Sequence, residues 1–128
     1  MFNLSHSGTY VAAAFGTEDV GVDVELIRTG KQKIAQRFFA EDERKYLEKC
    51  WTDEAFTGIW TRKEAYIKAV GTGIAMSLDS FSTMGEQVGE YYLKTWNVER
   101  DVWLSVCRKG SAIERCLPEK IALEQVFL

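Results

Sequence analysis

At 128 residues the chain holds one domain's worth of sequence, and its 46% hydrophobic and 27% charged content is that of an ordinary globular protein. A net charge of −3 argues against general nucleic-acid binding, which needs a basic footprint; no apolar run approaches a membrane span and the N-terminus lacks a signal pattern, so a cytoplasmic protein is expected. Cys50, Cys107 and Cys116 are odd in number and form no CxxC pair, which indicates neither a disulfide framework nor a zinc site.

Ser5-His6-Ser7-Gly8 reads as a compact polar turn able to bind a phosphate with side chains and backbone N–H groups, although it lacks the glycine density and lysine of a P-loop. Tyr10 to Phe15 is a short apolar run ended by Gly16, and with the following Val20 to Glu25 it suggests an antiparallel hairpin. Ile34 to Phe39 and Ala40 to Cys50 read as helical; Glu41, Asp42 and Glu43 crowd the first turn of the second, where the helix dipole favours acids. Thr52 or Asp53 caps the next helix, on which Phe56, Ile59, Trp60, Lys63, Ile67 and Val70 keep the 3.6-residue period until Gly71-Thr72-Gly73 stops it. Leu78 to Thr83, Tyr91 to Val98 and Val102 to Arg108 have β-branched and aromatic strand content, and Ile121 to Val126 is a weaker strand candidate. Strands, then helices, then strands predict a single α+β domain over residues 1–128, with an antiparallel sheet and helices packed on one face.

Two fragments carry the chemistry. In Val20-Gly21-Val22-Asp23-Val24-Glu25, side chains alternate, so Asp23 and Glu25 project from one face roughly 6 to 7 Å apart. In Trp60-Thr61-Arg62-Lys63-Glu64-Ala65-Tyr66-Ile67-Lys68, Glu64 and Lys68 sit one turn apart on one side of a helix. Packing that helix on the strand would bring three carboxylates and an ammonium together, a set of hard oxygen ligands suited to Mg²⁺ held partly by a substrate's phosphates. The same residues also describe a half-buried strand with a solvated face and an ordinary surface ion pair. Lys63 falls inside the apolar stripe; its stem either snorkels to an edge or serves an anion cleft beside Glu64. Tyr66, off that stripe, reads as a packing or sheet-edge residue. Charge is uneven: Arg28 to Lys68 holds ten Lys and Arg against seven Asp and Glu, a basic stretch in an acidic chain that would steer an anionic ligand or serve as plain helix surface.

Taken in order, Phe2-Asn3-Leu4-Ser5-His6-Ser7-Gly8, Gly21-Val22-Asp23-Val24-Glu25, Ile34-Ala35-Gln36-Arg37-Phe38-Phe39, Trp60 to Lys68 and Leu78-Asp79-Ser80-Phe81 resemble the 4'-phosphopantetheinyl transferases of the surfactin-synthetase-activating type. The resemblance spans residues 2 to 81. It implies Mg²⁺-dependent transfer of phosphopantetheine from coenzyme A to a serine of an acyl or peptidyl carrier protein, with release of adenosine 3',5'-bisphosphate. By position, Asp23, Glu25 and Glu64 would hold the metal, Glu64 would also act as base toward the carrier serine, Lys68 would stabilise charge on the pyrophosphate, and Ser5 and His6 would contact coenzyme A phosphates.

The large type consists of two similar halves with the active site between them, and this chain resembles the second half, one pseudo-repeat of the fold. Lysines that the first half would bring to the coenzyme A site have no counterpart here. Lys68-Ala69-Val70-Gly71-Thr72-Gly73-Ile74 also resembles a shorter, homotrimeric type with sites at subunit interfaces. Three expectations follow: a transferase completed by self-association as a homo-oligomer, half of a split or truncated enzyme needing a partner for the missing N-terminal half, or a carrier-protein-binding module without activity.

Overall fold

The computed structural model describes residues 1–71, 76–113 and 118–119. Along them run β1 (Phe2–Ser7), β2 (Tyr10–Phe15), β3 (Val20–Leu26), α1 (Gln32–Phe38), α2 (Glu41–Lys49), α3 (Asp53–Val70), a 3₁₀ turn at Leu78–Ser80, β4 (Gln87–Val88), β5 (Tyr91–Glu99) and β6 (Val102–Lys109). Strands β3, β6, β5 and β4 form, in that order, a four-stranded antiparallel sheet, and the helices lie on one face of it, so the expected α+β architecture is the one observed.

The predicted hairpin is replaced by a different one. β2 pairs with β1, from Phe2 opposite Phe15 to Ser7 opposite Tyr10, while β3 pairs with β6, from Val20 opposite Arg108 to Leu26 opposite Val102. Ser5, His6 and Ser7 therefore lie on a strand, and the turn is made by Gly8, at φ +57°, with Thr9. The free edge of β3 is closed by side chains: the N–H groups of Val22, Val24 and Leu26 donate to Asn3 Oδ1, Ser5 Oγ and Ser7 Oγ at 3.0, 3.1 and 3.1 Å. Alternate residues of β1 thus satisfy backbone donors that an edge strand would leave open. Leu78 to Thr83, read as a strand, is the 3₁₀ turn followed by irregular chain. The short strand β4 was not anticipated, and the Ile121 to Val126 candidate lies outside the described residues.

Helix α3 carries the fold. Thr52 Oγ1 accepts from Ala55 N–H at 2.9 Å at its start, and Gly71 ends it at φ +76° with its N–H on Ile67 O at 3.1 Å. One side of the helix places Phe56 and Ile59 with Ala35, Phe39 and Leu47 in a core shared with α1 and α2, flanked by Trp51 and Trp60. The other side is a stripe of small residues, Thr57, Thr61, Ala65 and Ala69, each no more than 5% exposed, and it faces the sheet. The contact is backbone-close at Gly21, where a Cβ would lie 2.1 Å from Ala65 O and 2.5 Å from Ala69 N. Only glycine lets the helix descend this far, and the descent seats Ala65 and Ala69 beside Leu93 and Cys107. The face of β3 that carries Asp23 and Glu25 is consequently covered by α3 and not solvated.

Lys63 takes neither of its two expected roles. It is fully buried, and its Nζ donates to Glu43 Oε1 at 2.6 Å and Phe81 O at 2.7 Å while lying 4.1 Å from the Phe81 ring centroid. Glu43 accepts in addition from Ala40 N–H at 2.9 Å, Thr83 N–H at 2.8 Å and Thr83 Oγ1 at 2.7 Å, so both carboxylate oxygens are saturated. Arg62 pins the same segment through Thr83 O at 2.9 Å, Thr95 Oγ1 at 2.8 Å and Gly85 O. Tyr66 is a packing residue as expected, with its ring 4.5 Å from that of Phe81 and edge-on to Tyr91.

Candidate functional site

Where α3 crosses β3, the side chains singled out in the sequence meet. Thr61 Oγ1 donates to the backbone carbonyl of Asp23 at 2.8 Å and fixes the helix against the strand at this level. Asp23, 4% exposed, receives Ser5 Oγ–H at 3.3 Å and the Lys68 ammonium at 3.5 Å, both on Oδ1. Its Oδ2 is buried without a hydrogen-bond partner. Burial first, and the neighbouring charge of Glu25 second, push the Asp23 carboxyl up to about 7, with the Thr61 hydroxyl and then Lys68 pulling the other way. A buried carboxylate oxygen with nothing to donate to it is costly, and it is the kind of atom a bound cation or a proton satisfies.

Glu25, two residues along the strand, accepts from Trp60 Nε1 at 3.3 Å on one oxygen and Arg28 Nε at 3.1 Å on the other. Glu64 is half-buried one turn before Lys68 on α3; burial raises its pKa, Lys68 and Arg28 oppose that rise, and Glu25 adds to it. Lys68 does not pair with Glu64 as spacing suggested. Its Nζ reaches across to Val22 O at 3.1 Å and to Asp23, which ties the last turn of the helix to the strand.

The arrangement thus brings Asp23, Glu25, Glu64 and Lys68 into one electrostatic group and adds Arg28 and Trp60, which sequence reasoning missed. Arg28 follows Glu25 by three positions beyond the end of the strand, where no periodicity reports a contact. Ser5 and His6 separate: Ser5 is buried on Asp23, whereas His6 faces outward with the exposed Phe2 and Leu4. Consecutive residues of a strand point to opposite faces, so the two cannot share a ligand contact without rearrangement. Among the described residues no three Asp, Glu, His or Cys side chains close around one point as a ready metal cage. The donor chemistry nevertheless suits a hard divalent ion, with Asp23 Oδ2 unsatisfied and Glu25 adjacent, because Mg²⁺ keeps waters and takes one or two carboxylates plus phosphate oxygens. A cleft of about 250 Å³ between α1 and α2, lined in part by Ala35, Leu47 and Trp51, contains none of these groups.

The profile of the family described as the 4'-phosphopantetheinyl transferase superfamily matches residues 19–115. Similar proteins include the 4'-phosphopantetheinyl transferase Sfp of Bacillus subtilis, 34% identical over 83% of this chain and 54% of that protein, and psf-1 of Bacillus pumilus, 36% identical over 88% and 55%. The chain spans about half the length of these curated relatives. Among solved structures, the holo-[acyl-carrier-protein] synthase of Thermotoga maritima aligns with a TM-score of 0.57 over 72% of this chain and 62% of that one; at 23% identity the likeness concerns the fold.

Proposed function

Because the chain belongs to the 4'-phosphopantetheinyl transferase superfamily, an enzyme family, we propose that it transfers 4'-phosphopantetheine from coenzyme A to a serine of an acyl or peptidyl carrier protein. Within the superfamily we assign it to the surfactin-synthetase-activating type, as a single domain over 1–128 corresponding to that type's C-terminal half, and place it in the cytoplasm. No helix among the described residues is long and apolar enough to cross a membrane. The observation that carries the reading is Asp23: a buried carboxylate with an orphaned oxygen, set against Lys68 and Glu25 where the helix meets the strand.

In this reading Asp23, Glu25 and Glu64 would hold Mg²⁺ together with oxygens of the substrate's phosphates. When bound, the ion would neutralise charge on the pyrophosphate as the anhydride breaks. Glu64, its basicity raised by burial, takes the proton from the carrier serine hydroxyl. The serine oxygen bonds to the phosphorus on the pantetheine side, the phosphoanhydride bond breaks, and adenosine 3',5'-bisphosphate leaves with the electron pair. Lys68, 30% exposed at its side chain, supplies a fixed positive charge beside that leaving group. His6, facing solvent, meets a coenzyme A phosphate; Ser5 orients Asp23 and reaches coenzyme A only by giving up that bond.

The experiment is the intact mass of an apo carrier protein after incubation with this chain, coenzyme A and Mg²⁺. A gain of one phosphopantetheine group, absent without Mg²⁺ and lost in Glu64→Gln with the fold retained, is the expected result. Substantial turnover by Glu64→Gln would refute its role as base. A second reading concerns completeness: turnover by a second copy of this chain standing in for the other half. The outer face of the β1–β2 hairpin favours it, since Phe2, Leu4, Val11 and Phe15 are 55 to 78% exposed together. A strictly monomeric mass in a solution that turns over would overturn it.

A further inference from the structure

The carboxylates of the proposed site are already served by cations of the chain itself. Lys68 lies on Asp23, and Arg28 lies on Glu25 at 3.1 Å with its charge also felt at Glu64. The two arrangements differ in how firmly they are held. Lys68 projects from a helix that is clamped on the strand, whereas Arg28 sits beyond the end of β3 with its backbone N–H on Thr57 Oγ1 at 2.9 Å and its side chain 40% exposed. Its guanidinium rests over the Trp60 indole, 5.2 Å from the ring centroid, and Trp60 donates to the other oxygen of the same carboxylate. Arg28 therefore has an anchored base, a free arm, and an aromatic surface on which the guanidinium stays partly paired after leaving Glu25. A divalent ion shared between Asp23 Oδ2 and Glu25 would meet a Glu25 whose two oxygens are both already taken.

We propose that Arg28 is a built-in counter-ion that occupies Glu25 in the absence of the divalent cation, is displaced along the face of Trp60 when the cation binds, and thereby sets the affinity of the site. The inference rests on the cation-dependent reading of Asp23 and Glu25 above. Its physical content is competition: a guanidinium and a divalent ion on one carboxylate repel, so the chain must release the first to accept the second. The charge of Arg28, and not its bulk, is what the cation works against.

The test is Mn²⁺ titrated into the full chain without coenzyme A or carrier protein, free ion being read by electron paramagnetic resonance. Removing the charge with Arg28→Gln is expected to tighten Mn²⁺ binding about tenfold at low salt, the scale of repulsion between a divalent ion and a guanidinium ~5 Å apart in a largely aqueous dielectric. Added salt should narrow that gap, because the side chain is exposed enough to be screened. Arg28→Lys, which keeps the charge, should stay within about threefold of the parent by the same reasoning. Tryptophan emission should change with Mn²⁺ in the parent and not in Trp60→Phe. Equal or weaker binding by Arg28→Gln, while Asp23→Asn abolishes binding, would overturn the counter-ion and leave the cation site standing. Binding that is absent, or indifferent to Asp23→Asn, would overturn the cation site and the counter-ion with it.

Discussion

Lys63 and Lys68 share helix α3, and each meets a carboxylate from another element, yet the two pairs are built to opposite specifications. The Lys63–Glu43 pair is fully buried at both ends, 2.6 Å apart, and surrounded by enough partners that both carboxylate oxygens are saturated. Lys68 and Asp23 are 3.5 Å apart, the lysine is partly exposed, and one oxygen of the aspartate has no partner. The first pair joins α2 and α3 to the segment around Phe81 and Thr83, and no polar atom is left over for chemistry. The second keeps an unsatisfied oxygen beside a second acid, which is destabilising in the isolated fold and is the condition for binding something else there. Hydrogen-bond completeness, more than the presence of charge, is what separates these two pairs.

The sharpest way to break the comparison is to remove one lysine from the saturated pair. Lys63→Met leaves Glu43 buried without its counter-charge and is expected to cost about 3–5 kcal/mol in urea unfolding. Adding Glu43→Gln should recover a large part of the loss, since the stranded charge is the source of the penalty; a single-variant cost below ~1 kcal/mol would show the pair to be dispensable.

Asp23→Asn should behave in the reverse sense. The folded-state pKa of Asp23 is about 7 against 3.8 for the free group, raised chiefly by burial. The folded chain therefore holds this proton more tightly, so the contribution of Asp23 to stability is fully present below about pH 4 and is lost as pH rises through about 7. Without divalent cation, the parent should lose on the order of 2–4 kcal/mol across that window, and Asp23→Asn should flatten the profile and abolish transfer. An unchanged pH slope in the variant would place the titration elsewhere.

The smallest effect is expected at Ser5→Ala, which removes the donor to Asp23 Oδ1 and strands the Val24 N–H that Ser5 Oγ accepts. The cost should be about 1–2 kcal/mol in the same unfolding assay. A neutral result would mean that water replaces the hydroxyl along the edge of β3.

Much of this was legible in the residues. The limits of α3 follow from Thr52 and Gly71, whose capping depends only on atoms a few positions away. The strands at Tyr91–Glu99 and Val102–Lys109 and the joint projection of Asp23 and Glu25 follow from β-branched content and period two. Glu64 and Lys68 were found by helical spacing, because one turn fixes which side chains share a side. The small stripe of Thr57, Thr61, Ala65 and Ala69 escaped notice, since residues with little apolar surface give no periodic signal even where, as for Ala65 and Ala69 at Gly21, the backbone comes too close to admit a Cβ.

The sequence by itself determined the three helices, the strands β3, β5 and β6 and the supply of acids and lysines, since backbone geometry sets periodicity within a turn or a pleat. Only the tertiary structure decided their partners. It paired β3 with β6 from the far end of the chain in place of neighbouring β2, sent Lys63 to Glu43 and Lys68 to Asp23, and brought Arg28 onto Glu25 and Trp60. Those choices depend on which surfaces can be buried together, and at Gly21 on how closely a helix can approach a strand, which no stretch of adjacent residues encodes.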